Sequence, residues 1–263
     1  MECEIFLAAS RAQLQAGHIE CTSIPLADFD IQRMRQGYYN EKKALVRGFD
    51  QFAERWQRDW SRLPRPQAGL VGWSREELAR DFIPTFAAQE EELGRTLAAQ
   101  CRLAYAVVWT IGPALEEEAF SQVQSGALQA MFLDVAGSLL MGQLRTALHR
   151  LVSGLAGQAQ ADLAVLGEHI PEISEQDPRL RRIAAPWAEA RLRPDFSLKP
   201  NGVLHPLKSQ CAMFFLGQPQ PGQSVGLNEL PCSHCKGSKC LYLQFGGCHL
   251  PARARPSRPT SAG

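Results

Sequence analysis

The sequence carries almost no net charge: 28 Lys and Arg stand against 27 Asp and Glu, for a formal +1. Such a balance excludes a large single-signed surface, and with it nucleic acid or a charged membrane as the expected main partner. Basic residues are also missing from the opening stretch. Met1-Glu2-Cys3-Glu4-Ile5-Phe6 has no positive n-region and only a short apolar run, so no signal peptide is expected. No uninterrupted apolar run approaches the ~18–20 residues that cross a bilayer. Internal repeats, a phosphate-cradling glycine loop and a Ser/His/Asp or Cys/His hydrolytic arrangement are all lacking, and the six histidines are scattered. These absences lead to the expectation of a cytoplasmic protein in a reducing setting. There, clustered cysteines point to metal or redox chemistry before they point to disulfides.

Cysteine is what the chain does have in quantity. Four of its eight cysteines fall in one stretch, Cys232, Cys235, Cys240 and Cys248, with the spacing C-x2-C-x4-C-x7-C. A two-residue gap lets two thiolates converge on one metal from a tight turn, and Gly237 lets the backbone loop back to bring in Cys240. Thiolates are soft ligands suited to zinc or to iron–sulfur iron. Lys236 and Lys239 beside them lower the thiol pKa values and offset part of the thiolate charge. Zinc ribbons usually show two C-x2-C pairs. The single pair here, followed by longer and unequal gaps, favours an iron–sulfur cluster, with zinc as the alternative and a set of reduced, metal-free thiols as the third reading. Cys248 is the nearest fourth ligand; Cys211, His234 and His249 compete with it.

The length of 263 residues, 45% hydrophobic and 21% charged, suits one large globular domain or two small ones. Residues 1–65 read as an N-terminal helical segment. A helical lead-in over 1–23 carries Cys3 and Cys21 as isolated thiols, Asp28 caps a helix with Phe29, Ile31 and Met34 on one face, and an aromatic stripe runs over 41–62 at helical spacing. Residues 63–74, broken by two prolines and two glycines, read as a loop and the boundary to a main domain over 66–249. The arginine- and proline-rich 250–263 read as a disordered tail. Within the main domain, Ser74 and Glu77 form a capping-box pattern. A helix is expected over about 86–100, a strand over 102–109, and a helix from Ala114. A long helix follows over about 127–152, on which Gly137, Ser138 and Gly142 make a small-residue strip. Asp134 on that helix reads either as an exposed carboxylate or as a polar group aimed at a site. A second helix-like segment is expected over about 155–168, a buried strand over 211–216 and a weaker strand over 223–227.

Three stretches together resemble the reactivation domain of cobalamin-dependent methionine synthase and its short free-standing relatives. They are Thr110-Ile111-Gly112-Pro113-Ala114-Leu115-Glu116-Glu117-Glu118 with Leu133–Ser138, Arg191-Leu192-Arg193-Pro194-Asp195-Phe196 with Pro200, and Leu204-His205-Pro206-Leu207-Lys208-Ser209. The Cys232–Cys240 loop with Tyr242 is similar to the ending of the short relatives, and the likeness covers roughly residues 100–245. It implies an α/β (α+β) domain with a twisted, mostly antiparallel sheet flanked by helices, which binds S-adenosylmethionine and docks on a corrinoid protein. By the resemblance, Arg191 matches the arginine that binds the adenosylmethionine carboxylate, Pro194 lies in the same segment, and Tyr242 matches a tyrosine near the ligand. Phe196 stands where the family has tyrosine and Asp195 where it has glycine. The function implied is support of the reductive activation of a cobalamin-dependent methyltransferase in methionine synthesis, through a Cys-ligated metal centre. The alternatives are an S-adenosylmethionine-binding methyltransferase-like domain and a non-enzymatic module with a structural zinc. Neither catalytic residues nor the electron donor is assigned.

Overall fold

In a computed structural model, the structure describes residues 1–27, 29, 31, 34, 43–86, 91–159, 162–171, 178–189 and 195–218. Six strands form one mixed sheet in an α+β arrangement, flanked by helices on both faces. The elements run β1 (Glu2–Ala8), α1 (Arg11–Gln15), β2 (Glu20–Pro25), α2 (Lys43–Arg58), β3 (Gln67–Ser74), α3 (Glu91–Gln100), β4 (Cys101–Thr110), α4 (Ala114–Gln122), α5 (Ala127–Ala159), β5 (Ala164–His169), α6 (Pro178–Glu189), β6 (Ser197–Leu198), β7 (Leu204–His205) and β8 (Ser209–Gly217). The sheet order is β2-β1-β3-β4-β8-β5, with β6 and β7 forming a separate two-stranded ribbon. β1 runs parallel to β3, and the other neighbours in the large sheet are antiparallel.

Side-chain alternation divides the core in two. On β4, Tyr105, Val107 and Trp109 face one layer while Ala104, Ala106 and Val108 face the other. On β8, Ala212, Phe214 and Leu216 alternate with Cys211, Met213 and Phe215. The first layer is covered by α2 and α5, where Phe49 and Phe52 both meet the Phe132 ring at 5.4 Å. The second is covered by α6, through Leu180, Ile183 and Trp187, together with Leu14, Leu78, Phe82 and Leu97. Strands buried on both faces read as continuous apolar runs, which is why β4 and β8 stand out in the sequence.

The expected helical lead-in over 1–23 is corrected to β1 and β2, joined by the short α1. Glu2 and Glu4 point outward while Cys3 and Ile5 are buried, a two-residue period that only a strand satisfies. Residues 67–74, expected to be a loop at a domain boundary, are instead the central strand β3. Its pairing with β1 brings the first residues into the same sheet as the rest, so 1–65 is not a separate helical segment. Pro64 and Pro66 lie just before the strand, where no ladder donor is needed. Gly72 is required within it, because a Cβ there would lie 2.3 Å from the carbonyl oxygen of Ala9. The helix expected over about 155–168 is also corrected: α5 runs on to Ala159, and 164–169 pair with β8 as an edge strand. Gly154 and Gly157 do not stop α5, since both lie on its open face.

Ser74 and Glu77 close the expected capping box. The helix α5 is long and apolar enough to span a bilayer by length and composition, yet 61% of its most apolar window is buried in this fold. It also carries Arg145, which pairs with Glu168 of β5 in a site where the two side chains are only 6 and 10% exposed. Nε of Arg145 donates to the second carboxylate oxygen at 3.2 Å, so the guanidinium fork is used twice. The expected strand over 223–227 and the tail over 250–263 lie outside the described residues.

Gly72→Ala forces backbone apart at the sheet centre and is expected to cost about 3 kcal/mol in urea unfolding, whereas Gly154→Ala is expected to add about 0.5–1 kcal/mol. Glu168→Gln, which leaves Arg145 buried without its counter-charge, is expected to cost about 3 kcal/mol. The double change Arg145→Met with Glu168→Leu returns stability to within about 1 kcal/mol of the parent, because neither charge is then desolvated.

Candidate functional site

The sheet ends are where the sequence places chemistry. At the end of β4, the hydroxyl of Thr110 donates to the Lys208 carbonyl at 3.2 Å, and accepts from the Gly112 N–H and the Ser209 hydroxyl, each at 3.0 Å. That junction turns the chain at Gly112, whose φ of +78° suits glycine, and delivers Pro113 as the cap residue of α4. Arg65 N–H bonds to the Ile111 carbonyl at 2.8 Å, drawing the approach to β3 alongside. The Leu204–Ser209 segment, which contains a cis His205–Pro206 bond, is held from the other side, where Glu116 accepts from the Leu207 N–H at 2.7 Å.

Between these pieces lies a cleft of about 510 Å³. Its floor includes Gln67, Gly112 and Pro206, all buried, and its rim carries Arg65, Glu117, Asp195 and His205, all exposed. Phe196 supplies an aromatic wall. Gln67, only 4% exposed, is the organising polar residue: its carbonyl oxygen accepts from the Asp195 N–H at 2.8 Å and its amide donates to Glu4 at 2.9 Å. One side chain thus ties the Asp195–Phe196 segment to β3 and β1. The rim combines an arginine and a histidine with two carboxylates, an arrangement able to hold a small ligand bearing both signs of charge. Ser197 and His205, directly opposite each other in the β6–β7 ribbon, also line it.

Of the residues singled out by sequence, Phe196 lines the cleft. Arg191, Pro194, Tyr242, Cys232, Cys235, Cys240 and Cys248 lie outside the described residues, as do His234 and His249. Cys211 is buried on β8, facing the second core layer. Cys3 and Cys101 are also buried, and desolvation pushes their thiols up to about 12 and about 11, which leaves them unreactive at neutral pH. Cys21 is exposed on the edge strand β2. Among the described residues, no three His, Cys, Asp or Glu side chains form a metal-holding group.

Asp134 is an exposed carboxylate and accepts from the Lys208 ammonium at 2.7 Å. Lys208 also donates to Ser138 at 2.7 Å, and its stem lies 3.3 Å from where a Cβ on Gly137 would sit. At Gly137 and Ser138 the strip therefore receives side chains, of Leu115, Lys208 and Ile111, rather than a second backbone. Sequence reasoning missed Gln67 and the Thr110–Ser209 pair. The only signal for Gln67 was a polar residue opening an apolar run after Pro66.

No family model matches the chain, and no curated protein matches it in sequence.

Gln67→Leu keeps the volume but removes both bonds. The expected outcome is a loss of about 1–2 kcal/mol in stability, with hydrogen exchange at the Asp195 amide faster by about tenfold. Exchange at β4 amides should change only as far as global stability does.

Proposed function

We propose that this chain is a corrinoid-associated protein with a fold like the methionine synthase reactivation domain, which supports the reductive activation of a cobalamin-dependent methyltransferase. One observation carries the reading. The three stretches that resemble that family, separated by up to about ninety residues in sequence, meet around a single cleft through Gly112-Pro113, Asp195-Phe196 and His205-Pro206. A likeness of composition alone gives no reason for that convergence. The cleft's mixed-charge rim and aromatic wall suit a zwitterionic nucleoside-bearing ligand of the S-adenosylmethionine class, with Arg191 next to the segment that enters it.

Cys232, Cys235, Cys240 and Cys248 would hold the metal centre. Their donor set is four soft thiolates with Lys236 and Lys239 nearby, which fits an iron–sulfur cluster better than a hard oxygen-seeking ion. Such a cluster supplies one-electron chemistry when bound. The chain's own contribution is to ligate it, to partly neutralise it with the two lysines, and to present the cleft to the corrinoid carrier.

Anaerobic purification of the full chain is expected to yield a brown protein with iron and acid-labile sulfide in equal amounts, and Cys235→Ser is expected to lose most of both. A colourless protein with one zinc per chain would replace the redox reading with a structural metal, and a metal-free chain would remove the metal centre altogether. Calorimetry with S-adenosylmethionine checks the cleft separately. Heat of binding that disappears on Arg191→Ala is expected, and no heat at millimolar ligand overturns that part.

A further inference from the structure

The β6–β7 ribbon has two sides. Leu198 pairs with Leu204, and both turn inward, Leu204 buried and Leu198 packed against the second core layer. Ser197 pairs with His205 one step along the ladder, so strand alternation turns both the other way, into the cleft that they line. Directly opposed residues of an antiparallel pair hold their Cβ atoms about 4.5–5.5 Å apart. From that separation a serine hydroxyl and an imidazole nitrogen reach hydrogen-bond distance by side-chain rotation alone. The ribbon that carries them is anchored. The Asp195 N–H is held by Gln67 at 2.8 Å, the Lys199 N–H by the Val203 carbonyl at 2.9 Å, and Arg181 of α6 donates to the Pro200 carbonyl. A nucleophile and a base on a braced element keep their mutual geometry.

Two further features of the cleft suit acyl transfer. Glu117 and Asp195 line it and supply negative charge to favour an imidazolium. The first backbone bond into α4 runs from the Glu117 N–H to the Pro113 carbonyl at 2.9 Å, which leaves the N–H groups of the turn before it without a helical partner. Ala114 of that turn lines the cleft, so the positive end of α4 opens where an oxyanion would form. The geometry points to an activity of this cleft separate from the corrinoid reading: hydrolysis of a small carboxylic ester, with Ser197 as nucleophile and His205 as general base. Phe196, Pro113 and Pro206 offer surface to a planar apolar group on the ester. The Ser197 Oγ bonds to the carbonyl carbon while His205 takes the hydroxyl proton. The bond to the leaving alcohol then breaks, and the alcohol departs with that proton. Water repeats the sequence on the acyl-serine, releasing the carboxylic acid and restoring Ser197.

The test uses the full chain with p-nitrophenyl acetate and, separately, with a fluorophosphonate probe, whose P–F bond is exchanged for a P–O bond at an activated serine. A burst of about one equivalent of nitrophenol per chain is expected, followed by slower turnover. Mass spectrometry is expected to place the phosphonate on Ser197. Ser197→Ala, at an exposed position, is expected to remove both the burst and the label while leaving the thermal midpoint unchanged. His205→Gln is expected to slow both reactions by about a hundredfold. Hydrolysis that survives Ser197→Ala overturns the inference, and so does a label on any other serine or no label at all. The iron, sulfide and calorimetric measurements above use neither side chain, so this activity and the corrinoid reading fail separately.

Discussion

A sheet covered on both faces has to satisfy its own backbone where it ends, because no water reaches the last residues of its central strands. Here that demand falls on Thr110, fully buried, and Ser209, almost so. One threonine hydroxyl accepts two bonds and donates a third, closing the end of β4 against β8 without an orphaned group. Among the described residues, the cleft depends on that junction. It fixes the Gly112 turn, the turn fixes α4, and α4 brings Ala114 and Glu117 to the polar cleft. Three successive glutamates on α4 then point three ways: Glu116 to the Leu207 N–H, Glu117 to the cleft, and Glu118 to the Trp60 indole at 3.1 Å. A helix advances about 100° per residue, so consecutive acids cannot share a task.

Elements whose local signal and tertiary role agree were legible in the sequence. β4 and β8 are apolar because they are buried twice over; the Ser74–Glu77 box obeys local capping chemistry, and the helix starting at Ala114 carries Glu116 and Glu117 in its first turn; α5 is apolar over many turns. Misreadings fell where a global constraint overrode a local habit. Gly69 and Gly72 look like turn residues, yet Gly72 is in a strand because Ala9 presses against it. Residues 1–23 read as a helical lead-in, but the alternation of Glu2 and Glu4 with Cys3 and Ile5 belongs to a strand whose parallel partner comes about sixty residues later. The helix α6 forms with Pro186 inside it, with Leu180, Ile183 and Trp187 buried against the sheet. The cleft was legible only as separate stretches. Gln67, which binds them together, had no motif to announce it, since its role depends on residues 63 positions before it and 128 after it.

The pairing of Arg145 with Glu168 shows the same logic for charge. Arg145 lies on the buried side of α5, away from its exposed Thr146 and Arg150, so the guanidinium is met by a carboxylate from the adjacent edge strand. Such a pair adds little net stability over an apolar substitute, but it opposes sliding of α5 along β5, since any other register leaves two charges buried and apart. The opposite edge is managed differently. β2 is almost entirely exposed, and it carries Glu20 and ends at Pro25, features that discourage a further strand from adding there.

The strand order carries a consequence for synthesis on the ribosome. β8 is the last strand of the large sheet to be made, yet it sits between β4 and β5, so β4 waits for it with one ladder edge open and β5 waits with no ladder partner at all. Thr110 must wait 99 residues for Ser209. During that interval the ladder of the apolar strand β4 stays half made, so the sheet closes only once Ser209–Gly217 has been added.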